Sequence, residues 1–376
     1  LDFGFSEEQE MLRASARSLL EKECPSTVVR RLMDDERGYD PGLWKQMAEL
    51  GWTGLVLPED FGGGGLTYVD LVVILEEMGR VLLPSPFIWT VMFAEALKRA
   101  GSPAQKKELL PRIASGELVS TLAYMEPSGR WDAEGIAMRA EPQGSGFRLE
   151  GRKLYVPDAH VAGQFLVAAR TGEAGEKGIT LFVVDAKHQG LAVTPLKTMD
   201  QTCKLSEVTF TGVQVEPEAV VGRVNEGWPL LSQVLDRAKV MLAAEMMGAA
   251  QKVLETTTEY AKIRVQFGRP IGSFQAVQHK CANMLLDVES AKSVVYYAAW
   301  AVTNEIPEAP LAAATAKAAA SDAFRRTANE GIQVHGGIGF TWEHDMHLYF
   351  KRAKSSEFTF GDASFNRAQV ANLIGL

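Results

Sequence analysis

An α+β protein in three successive parts, helical, β-rich and helical again, is predicted from three features of the chain. Residues 230–263 and 274–303 carry apolar side chains at helical spacing over long stretches. Residues 118–222 abandon that period for short runs rich in β-branched and aromatic residues, separated by Gly, Pro or Asp. Ahead of them, a series of capping residues opens one helix after another. The expected parts are residues 1–117, 118–222 and 223–376.

Taken in order, Ser6-Glu7-Glu8-Gln9 is a capping box, the serine oxygen and the glutamine side chain serving backbone N–H groups, so a helix runs to about Glu23. Asp40-Pro41 opens another through Leu50, and Gly51-Trp52-Thr53-Gly54 ends it. Residues 67–80 and 86–100 read as helices, and Ser102-Pro103 supplies the cap and first-turn proline of a third over 103–115. Four glycines, Gly62 to Gly65, interrupt this part. A phosphate cradle needs a preceding strand and a lysine or a helix N-terminus aimed at the anion, and neither is present, so a plain turn is expected. The β-runs at 120–124, 147–149, 165–169, 180–184 and 206–210 are spaced for an antiparallel domain or small barrel. After Asn225-Glu226-Gly227 the helices return, and residues 312–320, rich in alanine, read as a strong buried helix. Between the two long helical stretches lies RVQFGRPIG, a helix-to-helix corner. There Gly268 is expected in the left-handed conformation that closes a helix, Pro270 stops it, and Arg264 places a cation in the last turn.

With 376 residues, 46% of them hydrophobic, the chain can bury two or three layers of core and needs no staple. The net charge of −8 is spread along the sequence, which excludes a basic nucleic-acid footprint and means that an anionic ligand needs locally placed basic groups. Cys24, Cys203 and Cys281 are far apart and form no CxxC pair, which argues against a disulfide framework or thiolate metal site and for a reducing compartment. No apolar run is long enough to span a membrane, and the start, LDFGFSEEQEML, lacks the basic-then-apolar plan of a signal peptide. A cytoplasmic location is expected.

RVQFGRPIGSFQ at 264–275 and QVHGGIGFT at 333–341 stand in order, about a helical hairpin apart, and together they resemble the paired C-terminal signatures of the acyl-CoA dehydrogenase family. The similarity extends over essentially the whole chain, and PEDFGG at 58–63 resembles a loop of the family's first helical domain. The resemblance implies an N-terminal helical domain, a central antiparallel β-barrel-like domain and a C-terminal four-helix bundle. It also implies bound FAD, an acyl-CoA substrate, an electron-transfer flavoprotein as acceptor, and a homotetramer or an α2β2 heterotetramer with a homologous subunit.

Carried over residue by residue, Arg264, Gln266, Phe267, Phe274 and Gln275 match positions that hold the FAD of a neighbouring subunit. Gln333, Val334, Gly336 and Gly337 match a loop whose backbone approaches the cofactor closely, which glycine permits because it lacks a β-carbon. Two glycine-rich helix corners would explain the glycines, but not both glutamines and the arginine. LAYMEP at 122–127 resembles the segment lying over the flavin, with Met125 at the family's ring-contacting threonine and Trp131 near its substrate serine. In GRKLYVP at 151–157, Tyr155 replaces the usual tryptophan wall, and Pro157 stands where a hydroxyl usually faces the flavin. Asp236 and Lys239 match the family's Asp-x-x-Arg that meets CoA, though on a helix they read equally well as a solvated charged face.

The catalytic base departs from the pattern. Removal of the α-proton requires a carboxylate within hydrogen-bond reach of that carbon. Phe360 occupies the family's usual glutamate position, and Ala238 the position used by a second subgroup. Asp362 is then the leading relocated base, with Glu357 and Asp236 behind it. Alternatively the chain is the flavin-binding, base-lacking member of a heteromeric dehydrogenase. HGGIGFTWEHD, LYFKRA and FGDA resemble the branch that acts on bulky sterol-derived, dicarboxylic or alicyclic thioesters. A flavin monooxygenase or desulfinase on the same fold is the third reading, suggested by Met125 and Pro157. His344 and His347 fall on an expected helix, where a metal is conceivable but partly exposed histidines near a subunit contact are favoured. Tyr296, Tyr297 and Trp300 are expected to pack between helices.

Overall fold

The structure, a computed structural model, describes residues 4–376; the first three residues of the start read above as lacking a leader lie outside them. The predicted caps start the predicted helices. Ser6 and Gln9 close a capping box on α1 (Glu7–Glu23), after which come α2 (Ser26–Asp34) and α3 (Pro41–Glu49), the latter capped by Asp40. Thr67 and Asp70 form a second box on α4 (Tyr68–Arg80); α5 (Phe87–Ala100) follows, and Ser102 caps α6 (Pro103–Ala114). The strands are β1 (Ser120–Ala123), β2 (Arg139–Gln143), β3 (Gly146–Pro157), β4 (Gln164–Arg170), β5 (Ile179–Asp185), β6 (Leu191–Leu196), β7 (Leu205–Val215) and β8 (Val220–Val221). Then come α7 (Gly227–Ile263), β9 (Val265–Gln266), β10 (Arg269–Pro270), α8 (Gln275–Thr303), α9 (Ala309–His335), α10 (Gly337–Phe340), α11 (Met346–Phe358) and α12 (Ala363–Leu373). No helix among the described residues is long and apolar enough to cross a membrane.

The chain forms two compact units, each assembled from separate segments. One gathers residues 32–66 and 84–235. Its sheet runs in the order β6-β7-β3-β2-β4-β5-β8, with β1 also on β4. The sequence suggested an antiparallel, barrel-like arrangement. The sheet is instead mixed, because β1 joins β4 in parallel from Ser120↔Gln164 to Ala123↔Val167, and no β6–β8 pairing closes it. β4 is buried on both faces in its middle, which is why it reads as the unbroken apolar run FLVAA rather than as an alternation. Phe165, Phe182, Phe210, Leu149 and Val208 fill the core between the strands. The four-glycine segment is a turn whose amides are already committed: Gly62, Gly63, Gly64 and Gly65 donate to the carbonyls of Glu59, Pro58, Gly54 and Leu57. No N–H of that segment is left to cradle a phosphate.

The other unit gathers the residues up to Arg31, 67–83 and 236–376. α9 packs along α8, α11 and α12, and its buried alanines at 312, 313, 314, 316, 318 and 320 let those helices approach closely. α4 crosses α7 at a pair of glycines. A β-carbon on Gly79 would lie 1.9 Å from the Glu245 carbonyl oxygen, and one on Gly248 would lie 1.8 Å from that of Glu76. Backbone touches backbone on both sides of this crossing. At the RVQFGRPIG corner α7 ends at Ile263, before Gly268 is reached, so Gly268 does not close the helix. Phe267 (φ 54°) and Gly268 (φ 75°) instead form the two-residue turn of a small hairpin pairing Gln266 with Arg269. Two consecutive positive φ values are the hairpin's requirement, and that demand outweighs the helix-stop use of glycine.

Gly248→Ala should destabilise the protein by about 2 kcal/mol despite alanine's better helix propensity, because the obstructing atom is a backbone carbonyl that no rotamer change can move. Urea-unfolding midpoints of the parent and the variant measure this, and a stabilised variant would show the crossing to be looser than described.

Candidate functional site

In the helical unit the two signature segments are built alike. Each ends a long helix and presents polar side chains on irregular backbone. Arg264, Gln266 and Gln275 are exposed around the hairpin, and Gln333 is exposed at the end of α9; none has a side-chain partner among the described residues. Phe267 is 92% exposed, and Phe274 lies edge-on to it at 6.2 Å with the Arg269 guanidinium 4.0 Å from the Phe274 ring centroid. Val334 is buried. Gly336 ends α9 at φ 65°, ψ −142°, a conformation that only glycine takes without strain, and no atom lies within 4 Å of where a β-carbon on Gly336 or Gly337 would be. FAD offers a pyrophosphate and an adenine to be held by cations, amides and bare backbone. Unengaged guanidinium and amide groups beside open glycines fit that group.

In the β unit, the segment around Met125 is tied down by a buried ion pair. Lys153, fully buried on β3, donates to Glu126 Oε1 at 2.6 Å and to the Tyr124 carbonyl at 3.3 Å. Glu126 also accepts from the N–H groups of Ala137 and Met138, at 2.9 and 3.0 Å. Burial pushes the Lys153 ammonium down, and the adjacent Glu126 carboxylate opposes that shift. The register of β3 on β7 slips between Lys153 and Val156, and at that irregularity Tyr155 adopts φ 53° with its side chain 55% exposed. A bulge thus turns the aromatic ring out of the sheet. Pro157 is half-buried, and its carbonyl accepts from Thr121 Oγ1 at 2.7 Å. Trp131, also half-buried, lies 5.8 Å from the buried Tyr124 ring. The sequence reading singled out neither Lys153 nor Glu126 for a role of its own, although a lysine inside an apolar strand is a visible signal.

Asp236 and Lys239 are not a solvated face. They are 8% and 6% exposed, Lys239 donating to Asp236 at 3.3 Å and to Gln369 Oε1 at 2.8 Å. Burial pushes the Asp236 carboxyl up and the Lys239 ammonium down, each opposed by its partner. Beside this pair lies Lys317 of α9, fully buried, which the sequence reading passed over within its alanine-rich run. Its Nζ lies 2.8 Å from Ser321 Oγ and 3.1 Å from the carbonyls of both Glu357 and Gly361. Burial, with Lys239 nearby, pushes Lys317 down to about 7 against the pull of Glu357 and Asp362. Asn366 Nδ2 donates to the carbonyls of Phe360, Gly361 and Asp362 at 3.3, 2.9 and 3.0 Å. The loop that carries Phe360 is therefore held by buried donors along its length. Phe360 (φ 60°) is 3% exposed and Ala238 is fully buried. The Asp362 carboxylate caps α12, accepting from the Phe365 N–H at 2.7 Å. Glu357 is flanked by Lys354 at 3.0 Å and Arg325 at 3.3 Å.

The histidines and aromatics differ from expectation. His344 precedes α11 rather than sitting on it, because the helix starts only at Met346; it lies 4.7 Å from the His335 ring, whereas His347 stacks on Trp342. The two histidines thus have separate ring partners. Tyr296 donates its hydroxyl to Glu76, whereas Tyr297 and Trp300 are half-exposed and stacked on each other instead of packing between helices.

Profiles for the N-terminal, middle and C-terminal domains of acyl-CoA dehydrogenases match residues 6–117, 121–213 and 225–374. The chain is 36% identical to the acyl-CoA dehydrogenase IpdE2 of Mycobacterium tuberculosis, over 93% of this chain and 92% of that one. Among solved structures it resembles the ChsE4–ChsE5 complex from Mycobacterium tuberculosis (TM-score 0.91, 30% identity, covering 100% of this chain and 99% of that one). It also resembles butyryl-CoA dehydrogenase from Megasphaera elsdenii (TM-score 0.92, 27% identity, both chains covered in full). This chain belongs to the acyl-CoA dehydrogenase family, the FAD-dependent oxidoreductases that act on the CH–CH bond of CoA thioesters.

Proposed function

We propose that this chain is the subunit of a heteromeric acyl-CoA dehydrogenase that holds FAD and the thioester while a homologous partner supplies the catalytic base. The observation that carries the reading is the prior commitment of every carboxylate suggested for that role. Asp362 is spent on a helix cap, Glu357 lies between two cations, and Asp236 is buried against Lys239. The two usual glutamate positions hold Phe360 and Ala238. In this reading Asp362 is a cap and not a base, and the usual catalytic glutamate is absent from the chain. The similarity to a two-protein steroid acyl-CoA dehydrogenase, Tcur3481–Tcur3483, supports a bulky acyl group rather than a standard straight chain, and with the ChsE4–ChsE5 complex it supports an α2β2 assembly over a homotetramer.

Desaturation takes a proton from the α-carbon, and bound FAD supplies the acceptor for the β-hydride. The chain's own residues hold and orient. Arg264, Gln266, Phe267, Phe274 and Gln275 would hold the FAD of a neighbouring subunit, and Gln333, Val334, Gly336 and Gly337 would let backbone approach that cofactor closely. In the β unit, Met125, Tyr155 and Pro157 would lie against a flavin ring. Trp131 of the same unit would meet the thioester, whereas Asp236 and Lys239 of the helical unit are buried against each other and Gln369. An electron-transfer flavoprotein would be the acceptor.

An anaerobic absorbance titration with linear, branched and ring-bearing acyl-CoAs tests this directly. The oxidised flavin band should stay unbleached with the chain alone and bleach with a ring-bearing thioester once the chain is co-expressed with a homologue. Bleaching by the isolated chain would mean that it carries its own base. Asp362→Asn, which retains a capping oxygen, should leave the rate of the assembled enzyme within about twofold, whereas Asp362→Ala should cost about 1 kcal/mol of stability. A rate loss of roughly a hundredfold or more in the asparagine variant would assign Asp362 as the base.

Lys317 predicts a pH dependence of stability. Its folded value, about 7, lies below the ordinary 10.5, so between these limits the unfolded chain binds more protons. The Lys317 contribution to unfolding free energy therefore rises with pH across that window and is least favourable below it. Comparing urea midpoints at both ends of the window should show this rise in the parent and a flatter profile in Lys317→Met. Equal slopes would place the lysine in a wetter site.

A further inference from the structure

Tyr260 stands one helical turn before Arg264, and its carbonyl accepts from the Arg264 N–H at 2.9 Å. His335 is the last residue of α9, directly before Gly336 and Gly337. These two rings stack, with centroids 4.4 Å apart and planes inclined by 21°. His344 adds a third ring 4.7 Å from that of His335. The imidazole is 4% exposed, and its Nδ1 lies 2.7 Å from the Gly331 carbonyl, an acceptor. That contact makes Nδ1 the protonated nitrogen and leaves Nε2, which has no partner, as a buried lone pair. The stack is thus the ring contact between the ends of two helices, each of which runs directly into one of the two cofactor segments.

We propose that the Tyr260–His335 stack is a positioning joint that fixes the Arg264 corner against the Gly336–Gly337 loop, so that both segments meet one FAD without first being ordered by it. The proposal rests on the reading of those segments as the FAD site. Each segment leaves its helix on irregular backbone. The corner is a two-residue hairpin projecting beyond the helix, and the loop begins at a glycine in a conformation closed to other residues. A rigid ring contact at their roots limits the positions they can take, and preorganisation of this kind raises affinity by lowering the ordering cost of binding. Neither ring need touch the cofactor for this to operate.

The test is FAD affinity, read by flavin fluorescence during reconstitution of the deflavinated protein together with any co-expressed partner, with a thermal melt of each variant alongside. Tyr260→Ala and His335→Ala should each weaken FAD binding roughly 2- to 10-fold, the range for a stacked aromatic pair, and the double variant should be no weaker than the worse single. His335→Phe keeps a ring without either nitrogen and should restore parental affinity. It also stands in for the truncations should they fail to fold. Additive losses, parental affinity in both truncations, or failure of the phenylalanine to rescue would overturn the joint. Arg264→Ala separates the two levels. If it releases FAD while the stack variants retain it, the joint alone is wrong; if it retains FAD, the corner is not the cofactor site and the joint falls with it.

Discussion

Buried backbone carbonyls must be paired, and the candidate site depends on that requirement because its key segments are neither helix nor strand. Where the chain leaves regular structure in the helical unit, at residues 359–362, the donors come from the long side chain of Lys317 on α9 and the short amide of Asn366 on α12. Where it leaves regular structure in the β unit, at Tyr124 and Glu126, Lys153 reaches in from β3. In both places a buried amine anchors a loop whose shape would otherwise cost unsatisfied polar groups, each worth about 1–3 kcal/mol. At Lys317 the pairing works in either protonation state. An ammonium has a proton for each of its three acceptors, and a neutral amine can keep both carbonyls while accepting from the Ser321 hydroxyl.

This separates the scaffold of the base position from the base itself. The loop bearing Phe360 keeps its carbonyl tethers, its buried lysine and its capped following helix, so it carries phenylalanine on an ordered backbone and not on a collapsed one. None of the three suggested carboxylates is free to replace the missing base, since a group that caps a helix, faces two cations or lies buried against a lysine must break a favourable contact before it can take a proton from carbon. Catalytic competence through a partner follows more simply from these contacts than relocation does.

Much of the fold was legible because local chemistry and tertiary context agree. Ser6, Asp40, Thr67 and Ser102 start helices where their oxygens can serve free N–H groups, and long apolar periodicity marked α7, α8 and α9. α2 and β6 were missed for opposite reasons. α2 is short and carries two adjacent valines that favour strand, although its buried Val29, Leu32 and Met33 fall at helical spacing, whereas β6 contains Pro195 and buries none of its residues fully, so its alternation is weak. The parallel pairing of β1 with β4 could not be read at all, because a short apolar run carries no record of its partner. At the site, types of residue were legible and commitments were not. Asp362 looked like a spare carboxylate, but its bond to the Phe365 N–H depends on α12 beginning at the next residue. Asp236 and Lys239 looked like a polar helix face, although α12 brings Gln369 across them.

Backbone strain supplies a last connection among these segments. Positive φ is uncommon outside glycine and disfavoured for bulky side chains, yet Tyr155, Phe267 and Phe360 all adopt it. Each lies in a different segment matched to the cofactor or the base, and each is held by surroundings that overrule its preference. Tyr155 sits in a β-bulge beside the buried lysine, Phe267 in a two-residue hairpin turn, and Phe360 in the tethered loop. A chain that needed only to fold would place glycine or asparagine there. Keeping aromatic rings on strained backbone makes sense where the direction of the ring matters, and at Phe360 it fixes a buried ring on the loop that Lys317 and Asn366 hold.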